Sequence, residues 1–270
     1  MGLLCVPVSV YGTESAPTTA PRTADVPIIM YHLVTQSSKY IGKFGITPAD
    51  LESDLKYLKD NGYTTVVIQD LIDFVNNGKD LPEKPVMLTF DDGNGSDYHY
   101  LYPLLKKYDM KAVLCIMGKQ SDDYTVLAQK QEGRFPNLTW EQINEMRNSG
   151  HVEIQSHGYD VHGPIGSSKK KGEPSEIYHT RLKADLSKMQ ERTTEMTSYT
   201  PTAFAYPLGM ISEGSREVLV ELGIVASLSC RDGMSHVVEG EKETLFRLNR
   251  ENRPSGRPVW DIIAKMRKTQ

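Results

Sequence analysis

Short apolar runs alternate with amphipathic segments along almost the whole chain, and that alternation most narrows what it can fold into. Residues 26–31 (VPIIMY), 64–68 (TTVVI), 85–90 (PVMLTF), 112–117 (AVLCIM), 151–156 (HVEIQS), 202–206 (TAFAY) and 224–228 (IVASL) read as strands, with a further short one at 245–248. Between them, 48–60, 70–77, 98–108, 139–148, 175–194, 212–222 and 259–267 read as helices. Thr47 is placed to cap a helix whose first residue is Pro48, Leu51, Leu55 and Leu58 follow at helical spacing, and Asn61-Gly62 ends it. Thr139 and Gln142 have the spacing of a capping box. Continuous apolar strands alternating with helices imply a mostly parallel α/β sheet covered by helices. About seven or eight such units suit a closed or nearly closed barrel, with a doubly wound open sheet as the alternative.

Composition excludes several classes. With 39% hydrophobic and 24% charged residues the chain is ordinary globular material, and a net charge of −4 offers no basic stripe for nucleic acid. No apolar run reaches the roughly 18–20 residues of a membrane helix. A monomer is expected. Cys5, Cys115 and Cys230 have neither metal-knuckle nor disulfide-framework spacing, and the latter two read as buried thiols. The apolar residues 2–11 and the small, polar stretch after them read as a residual signal peptide and disordered linker over 1–24, with one catalytic domain at 25–270. The protein is therefore expected to be secreted or held at the cell surface. Residues 163–174 (GPIGSSKKKGEP) read as a mobile loop with a solvated lysine tip.

Two motifs sit where barrel chemistry belongs, at the C-terminal ends of strands. In the first, Asp91-Asp92-Gly93 after Thr89-Phe90, adjacent carboxylates point in different directions, so one can bind a cation while the other holds a proton. Two such charges oppose each other's ionisation, and a cation relieves the conflict. Alone, the motif is equally a strand ending in a turn. In the second, His157 and His162 lie five residues apart after another strand. With Asp92 they would supply two imidazole nitrogens and one carboxylate, a set suited to a catalytic divalent ion with open positions. A third stretch, 204–209 (FAYPLG), places Pro207 and Gly209 in a strand-end turn whose N–H groups could face a reacting oxygen.

The order and spacing of these elements resemble the polysaccharide deacetylases of carbohydrate esterase family four, which share the nodulation-factor deacetylase homology domain. The resemblance runs from about Pro27 to Pro254. It rests on 27–32 (PIIMYH), 89–93 (TFDDG), 104–112 (LLKKYDMKA), the histidine motif and 204–209. It implies a distorted (β/α) barrel of about seven strands and a metal-dependent hydrolase that removes N-acetyl groups from peptidoglycan, poly-N-acetylglucosamine or a chitin-like glycan. By the same resemblance Asp91 is the general base, and Asp92, His157 and His162 hold the metal, Zn²⁺ first, with Co²⁺ or Ni²⁺ as alternatives. The backbone N–H of Leu208 becomes an oxyanion donor, while Tyr159, Tyr206 and Pro207 are candidate sugar contacts.

The chain also departs from the family pattern. Gly158 stands where many members have Ser or Thr, and Ala205 where many have an arginine that orients the base. Arg247 and Arg250 are candidates to replace it. A late Leu-x-His general acid is missing, which leaves His236 or His32. The five-residue histidine spacing is that of the branch resembling poly-N-acetylglucosamine deacetylases. Two other functions stay open: O-deacetylation of xylan or a similar glycan, and a glycan-binding module of the same fold without turnover. A non-haem iron oxygenase also uses two histidines and a carboxylate, but gives the Asp-Asp-Gly base no role.

Overall fold

The computed structural model describes residues 20–130, 133 and 136–268; Cys5 and most of the expected leader lie outside them. In chain order the first elements are β1 (Thr23–Val26), β2 (Ile28–Tyr31), β3 (Leu33–Val34), β4 (Gly45–Ile46), α1 (Pro48–Asp60), β5 (Thr64–Thr65) and α2 (Ile68–Asn77). The central motifs follow in β6 (Pro85–Asp92), α3 (Tyr102–Tyr108), β7 (Ala112–Ile116), α4 (Gly118–Ala128), α5 (Trp140–Asn148) and β8 (Val152–Ser156). The chain finishes with α6 (Ser175–Thr197), β9 (Ala203–Ala205), α7 (Ser215–Glu221), β10 (Ala226–Leu228), β11 (Ser235–Val238), β12 (Glu251–Asn252) and α8 (Val259–Lys268).

Seven strands form one curled sheet in the order β10-β9-β8-β7-β6-β2-β12, and β5 adds to β6. Every pairing in it is parallel. The two ends of the sheet are brought together by one stretch of chain. Leu248 bridges to Leu228 in β10, and four residues on Asn252 pairs with Met30 in β2. This is the distorted barrel the sequence implies, not an open doubly wound sheet.

The alternation along each strand decides what faces the interior. Val86, Leu88 and Phe90 of β6 join Ala112, Leu114 and Ile116 of β7 in the core beneath α1, α3, α5 and α8. The intervening Met87, Val113 and Cys115 belong with Ala203, Ala205, Ala226 and Leu228 on the opposite face. Asp91 falls in that second series, so the period of two aims it inward. Both faces of β6 and β7 are buried, which accounts for their unbroken apolar sequences.

Several local expectations change. Thr47 and Thr139 do cap α1 and α5 through full capping boxes. The strand expected at 245–248 is displaced: Lys242–Leu245 form a 3-10 turn, and the sheet pairing moves to Leu248 and β12. Helix α4 was not anticipated, because it opens on a glycine and only Gly118, Ser121 and Thr125 of it are buried. Thr23 and Ala24, read as linker, pair with Val238 and Val237 of β11 in a short antiparallel ribbon. The loop read as mobile is pinned: Lys169 N–H donates to Ser212 Oγ (2.9 Å) and the Arg181 guanidinium to Ser168 O and Glu173.

A buried polar network fastens the closing stretch. Asp54 of α1 accepts from Arg253 (2.7 and 3.1 Å), from the Tyr31 hydroxyl (3.1 Å) and from Val259 N–H at the start of α8 (3.1 Å). Burial pushes the Asp54 carboxyl up while the Arg253 guanidinium opposes it. Replacing Asp54 by Ala strands a buried guanidinium, and such a loss costs about 3–5 kcal/mol. Denaturant unfolding of Asp54→Ala is expected to show that loss, and a change under 1 kcal/mol (roughly the exposed-pair range) would contradict this account of the closure.

Candidate active site

The two sequence motifs meet at the C-terminal mouth of the barrel. Asp92 ends β6, while His157 follows β8 directly; β6 and β8 flank β7. One ligand atom from each of Asp92, His157 and His162 lies within 4.8 Å of the others. Asp92 Oδ1 stands 3.6 Å from His157 Nε2 and 3.5 Å from His162 Nε2. That oxygen is buried without a hydrogen-bond partner. Leaving a buried carboxylate oxygen unpartnered between two ring nitrogens is costly unless a cation fills the space. The three donors fit a divalent ion.

The tautomer of His157 is set from behind. Its Nδ1 lies 2.8 Å from the carbonyl oxygen of Ala205, which can only accept, so the proton is on Nδ1 and the Nε2 lone pair faces Asp92. Burial lowers the pKa of this ring, with Asp91 and Asp92 opposing the shift. His162 is held through the loop between the histidines. Asp185 of α6 accepts the N–H groups of Tyr159 and Asp160, one on each carboxylate oxygen, both at 2.8 Å. From the other side, Gly118 and Lys119 donate to the carbonyls of Gly158 and Tyr159. Gly158 adopts φ +90°, and a Cβ there would meet Val161 Cγ2 at 2.3 Å. The departure from Ser or Thr at this position therefore has a local cause.

Asp92 itself takes φ +76°, an uncommon conformation for a residue with a side chain. Asn137 Nδ2 donates to its carbonyl (3.1 Å), and Leu138 N–H donates to that of Gly93 (2.9 Å). The turn is thus locked by the segment leading into α5. Asn94 Nδ2 adds a bond to Asp91 O (3.2 Å). Sequence reasoning missed Asn94, Asn137 and Asp185, whose bonds all go to the backbone and leave no motif.

Asp91 is buried and faces Arg250, which is fully buried, through two parallel bonds of 2.7 and 2.9 Å. Arg250 also donates to Ser229 O (2.7 Å) and Thr89 Oγ1 (3.2 Å). Burial alone would raise the Asp91 carboxyl, but the Arg250 guanidinium, through its charge and its two bonds, holds it well below the usual range. A third acid, Asp97, is buried nearby with neither oxygen bonded. Burial first, and then the Asp92 charge, push its carboxyl well above the usual range.

The remaining expected residues divide. Of the two candidate arginines, Arg250 meets the Asp91 carboxylate; the backbone N–H of Arg247 donates to Ser227 Oγ (2.8 Å). His32 lines the cavity over the site and its Nδ1 is buried without a partner. His236 is half exposed on β11, paired with Asp25 and away from that cavity. Leu208 lines the cavity with φ +59°. Tyr159, Tyr206 and Pro207 do not line it. The Tyr159 hydroxyl donates to Asp122 Oδ2 (2.9 Å) and its ring lies under Lys188. Tyr206 is buried against Ser215, with Pro207 buried beside it. Cys115 is buried as expected, whereas Cys230 is half-buried and lines the cavity.

Comparison with known proteins agrees with this geometry. The family model described as polysaccharide deacetylase matches residues 78–227, more than half of the chain. YxkH of Bacillus subtilis (strain 168), named as a polysaccharide deacetylase, is 28% identical over 219 residues, covering 81% of this chain and 69% of that protein. The poly-β-1,6-N-acetyl-D-glucosamine N-deacetylase of Escherichia coli (strain K12) is 25% identical over 248 residues; the match covers 84% of this chain and only 37% of the longer relative. A de-N-acetylase structure from Aggregatibacter actinomycetemcomitans superposes with TM-score 0.75 at 25% identity, covering 89% of this chain and 99% of that one. With the motif residues of both strands gathered at one mouth and the family model spanning most of the barrel, the chain belongs to the polysaccharide deacetylases of carbohydrate esterase family four.

Proposed function

We propose that the protein is a metal-dependent N-deacetylase of a β-linked N-acetylhexosamine polysaccharide, of the poly-N-acetylglucosamine kind. The observation that carries this reading is the orphaned Asp92 Oδ1 between two histidine nitrogens, with the Arg250-clamped Asp91 as the next residue along the strand. The relatives named as N-deacetylases support the amide as the bond cleaved. A glycan substrate of this kind lies outside the cell membrane, and we place the protein there, secreted or at the surface.

A divalent ion held by Asp92, His157 and His162, most naturally Zn²⁺, would supply Lewis acidity for the acetyl carbonyl and for water. Asp91 takes the proton of the attacking water, and Arg250 keeps its two oxygens ionised and fixed in direction. A carboxylate held that low is a weak base, suited to water whose acidity is already raised. The carbon–oxygen bond forms as the carbonyl oxygen gains charge, and the N–H of Leu208 donates to that oxygen. His32, which lines the same cavity, donates a proton to the amine nitrogen as the carbon–nitrogen bond breaks, releasing acetate and a free amine.

These roles separate experimentally. Asp91→Asn is expected to keep its metal and lose acetate release by about 10²–10⁴-fold, the usual range for a general base; His157→Ala loses both metal and activity. His32→Gln falls in rate while His236→Gln does not. Acetate release from chitooligosaccharide, peptidoglycan and acetylated xylan, with metal content by elemental analysis, checks all four, and wild-type activity in Asp91→Asn would end the assignment of the base.

The Asp185 clasp yields a second outcome. Asp185→Ala frees the loop between the histidines without touching either ring, and outer-shell losses of this kind weaken metal affinity about 10–100-fold. Zn²⁺ titration against a chromophoric chelator reads it directly. Unchanged affinity would mean that the loop holds its shape without the carboxylate.

A further inference from the structure

The cavity mouth carries two aromatic rings for which the deacetylation chemistry has no use. Tyr40 is 55% and Phe44 49% exposed, and both line the cavity beside His32 and Lys43. Rings of this size are ordinarily drawn into a core or an interface. The loop that presents them, between β3 and β4, is firmly held. Leu33 N–H donates to Phe44 O (3.0 Å) and Gly42 N–H to Gly45 O (2.9 Å). Gly45 has no space for a side chain, since a Cβ would lie 2.0 Å from Tyr40 O. Asn252 Nδ2 donates to Lys43 O (2.7 Å) and Ser255 N–H to Gly42 O (2.8 Å), tying the loop to the stretch that closes the barrel. A platform fixed in this way loses little freedom when a ligand settles on it.

The ring faces already take partners of one polarity. Lys39 Nζ lies 5.2 Å from the Tyr40 centroid and Lys43 Nζ 4.9 Å from that of Phe44. The C–H face of a pyranose is polarised in the same sense, and an exposed ammonium is cheaply displaced from a ring. The amides of Asn94 and Asn252 line the same cavity and can meet sugar hydroxyls. Its volume of about 650 Å³ is in the range that holds a drug-sized ligand, more than a single N-acetylhexosamine fills.

Resting on the deacetylase reading above, we propose that Tyr40 and Phe44 form a subsite for the sugar residue adjoining the one that is deacetylated. These two rings then carry the dependence of affinity on the length of the bound glycan. A lipid surface is the other occupant such rings could meet; their place along the cavity wall, tilted against His32 at 4.8 Å in the case of Phe44, favours the glycan.

Binding to metal-free protein tests the subsite without turnover. Calorimetric titration of wild type with a β-linked N-acetylglucosamine tetramer is expected to show tighter binding than with the monosaccharide. Tyr40→Ala and Phe44→Ala should each weaken the tetramer about tenfold, leaving the monosaccharide unchanged, and Tyr40→Phe and Phe44→Tyr should restore it. Hydrolysis of a small aryl acetate by the zinc-loaded variants should stay at the wild-type rate. Equal tetramer affinity in all variants would overturn the subsite. So would loss of ester hydrolysis in step with tetramer binding, or an effect of the alanines confined to sedimentation with phospholipid vesicles. Tetramer binding that depends on the rings, with no acetate released by any variant, would leave the subsite standing and remove the hydrolytic reading instead.

Discussion

Just inside the mouth of the barrel a guanidinium with no exposed surface faces a carboxylate with almost none, and the two lie 159 residues apart in the sequence. Removing two charges from water is expensive, and the arrangement persists because both carboxylate oxygens and the spare guanidinium N–H groups are matched. That matching needs Ser229, Thr89 and Asp91 at fixed positions around the closing stretch. The pair is therefore a geometric requirement on the barrel as well as a part of its site.

Charge explains why the mouth of the barrel invites a cation. The Arg250 charge balances Asp91, and burial pushes the Asp97 carboxyl up. Asp92 differs, with a buried oxygen 3.5–3.6 Å from two imidazole nitrogens and no hydrogen-bond partner. Adjacent carboxylates in one strand are thus given different work by their surroundings: one is clamped, the other left open.

Much of this was legible in the sequence. Apolar runs located six of the seven strands of the main sheet, and strand-end placement drew attention to Asp91, Asp92, His157 and His162, of which the fold gathers the last three within 4.8 Å of one another. What escaped notice has a common origin. Strand pairing at Leu248 and β12 involves too few residues to leave an apolar run. The positive φ of Asp92 is imposed by Asn137 and Leu138 from a distant loop, and no local rule marks an aspartate for it. Tyr159 sits between the histidines in sequence, yet its side chain turns to Asp122 because the loop curls to bring the two rings together. Proximity along the chain was there a poor guide to proximity in space.

The closing stretch gives the molecule an order of completion. All three candidate metal donors are in hand by residue 162, on strands that pair with near neighbours in sequence. The counter-charge for Asp91 arrives only when Leu248 through Asn252 join the first and last strands of the curl. Without that stretch the Asp91 carboxylate has neither of its two bonds from Arg250. The clamp on Asp91 thus belongs to the closed barrel and to no shorter piece of it.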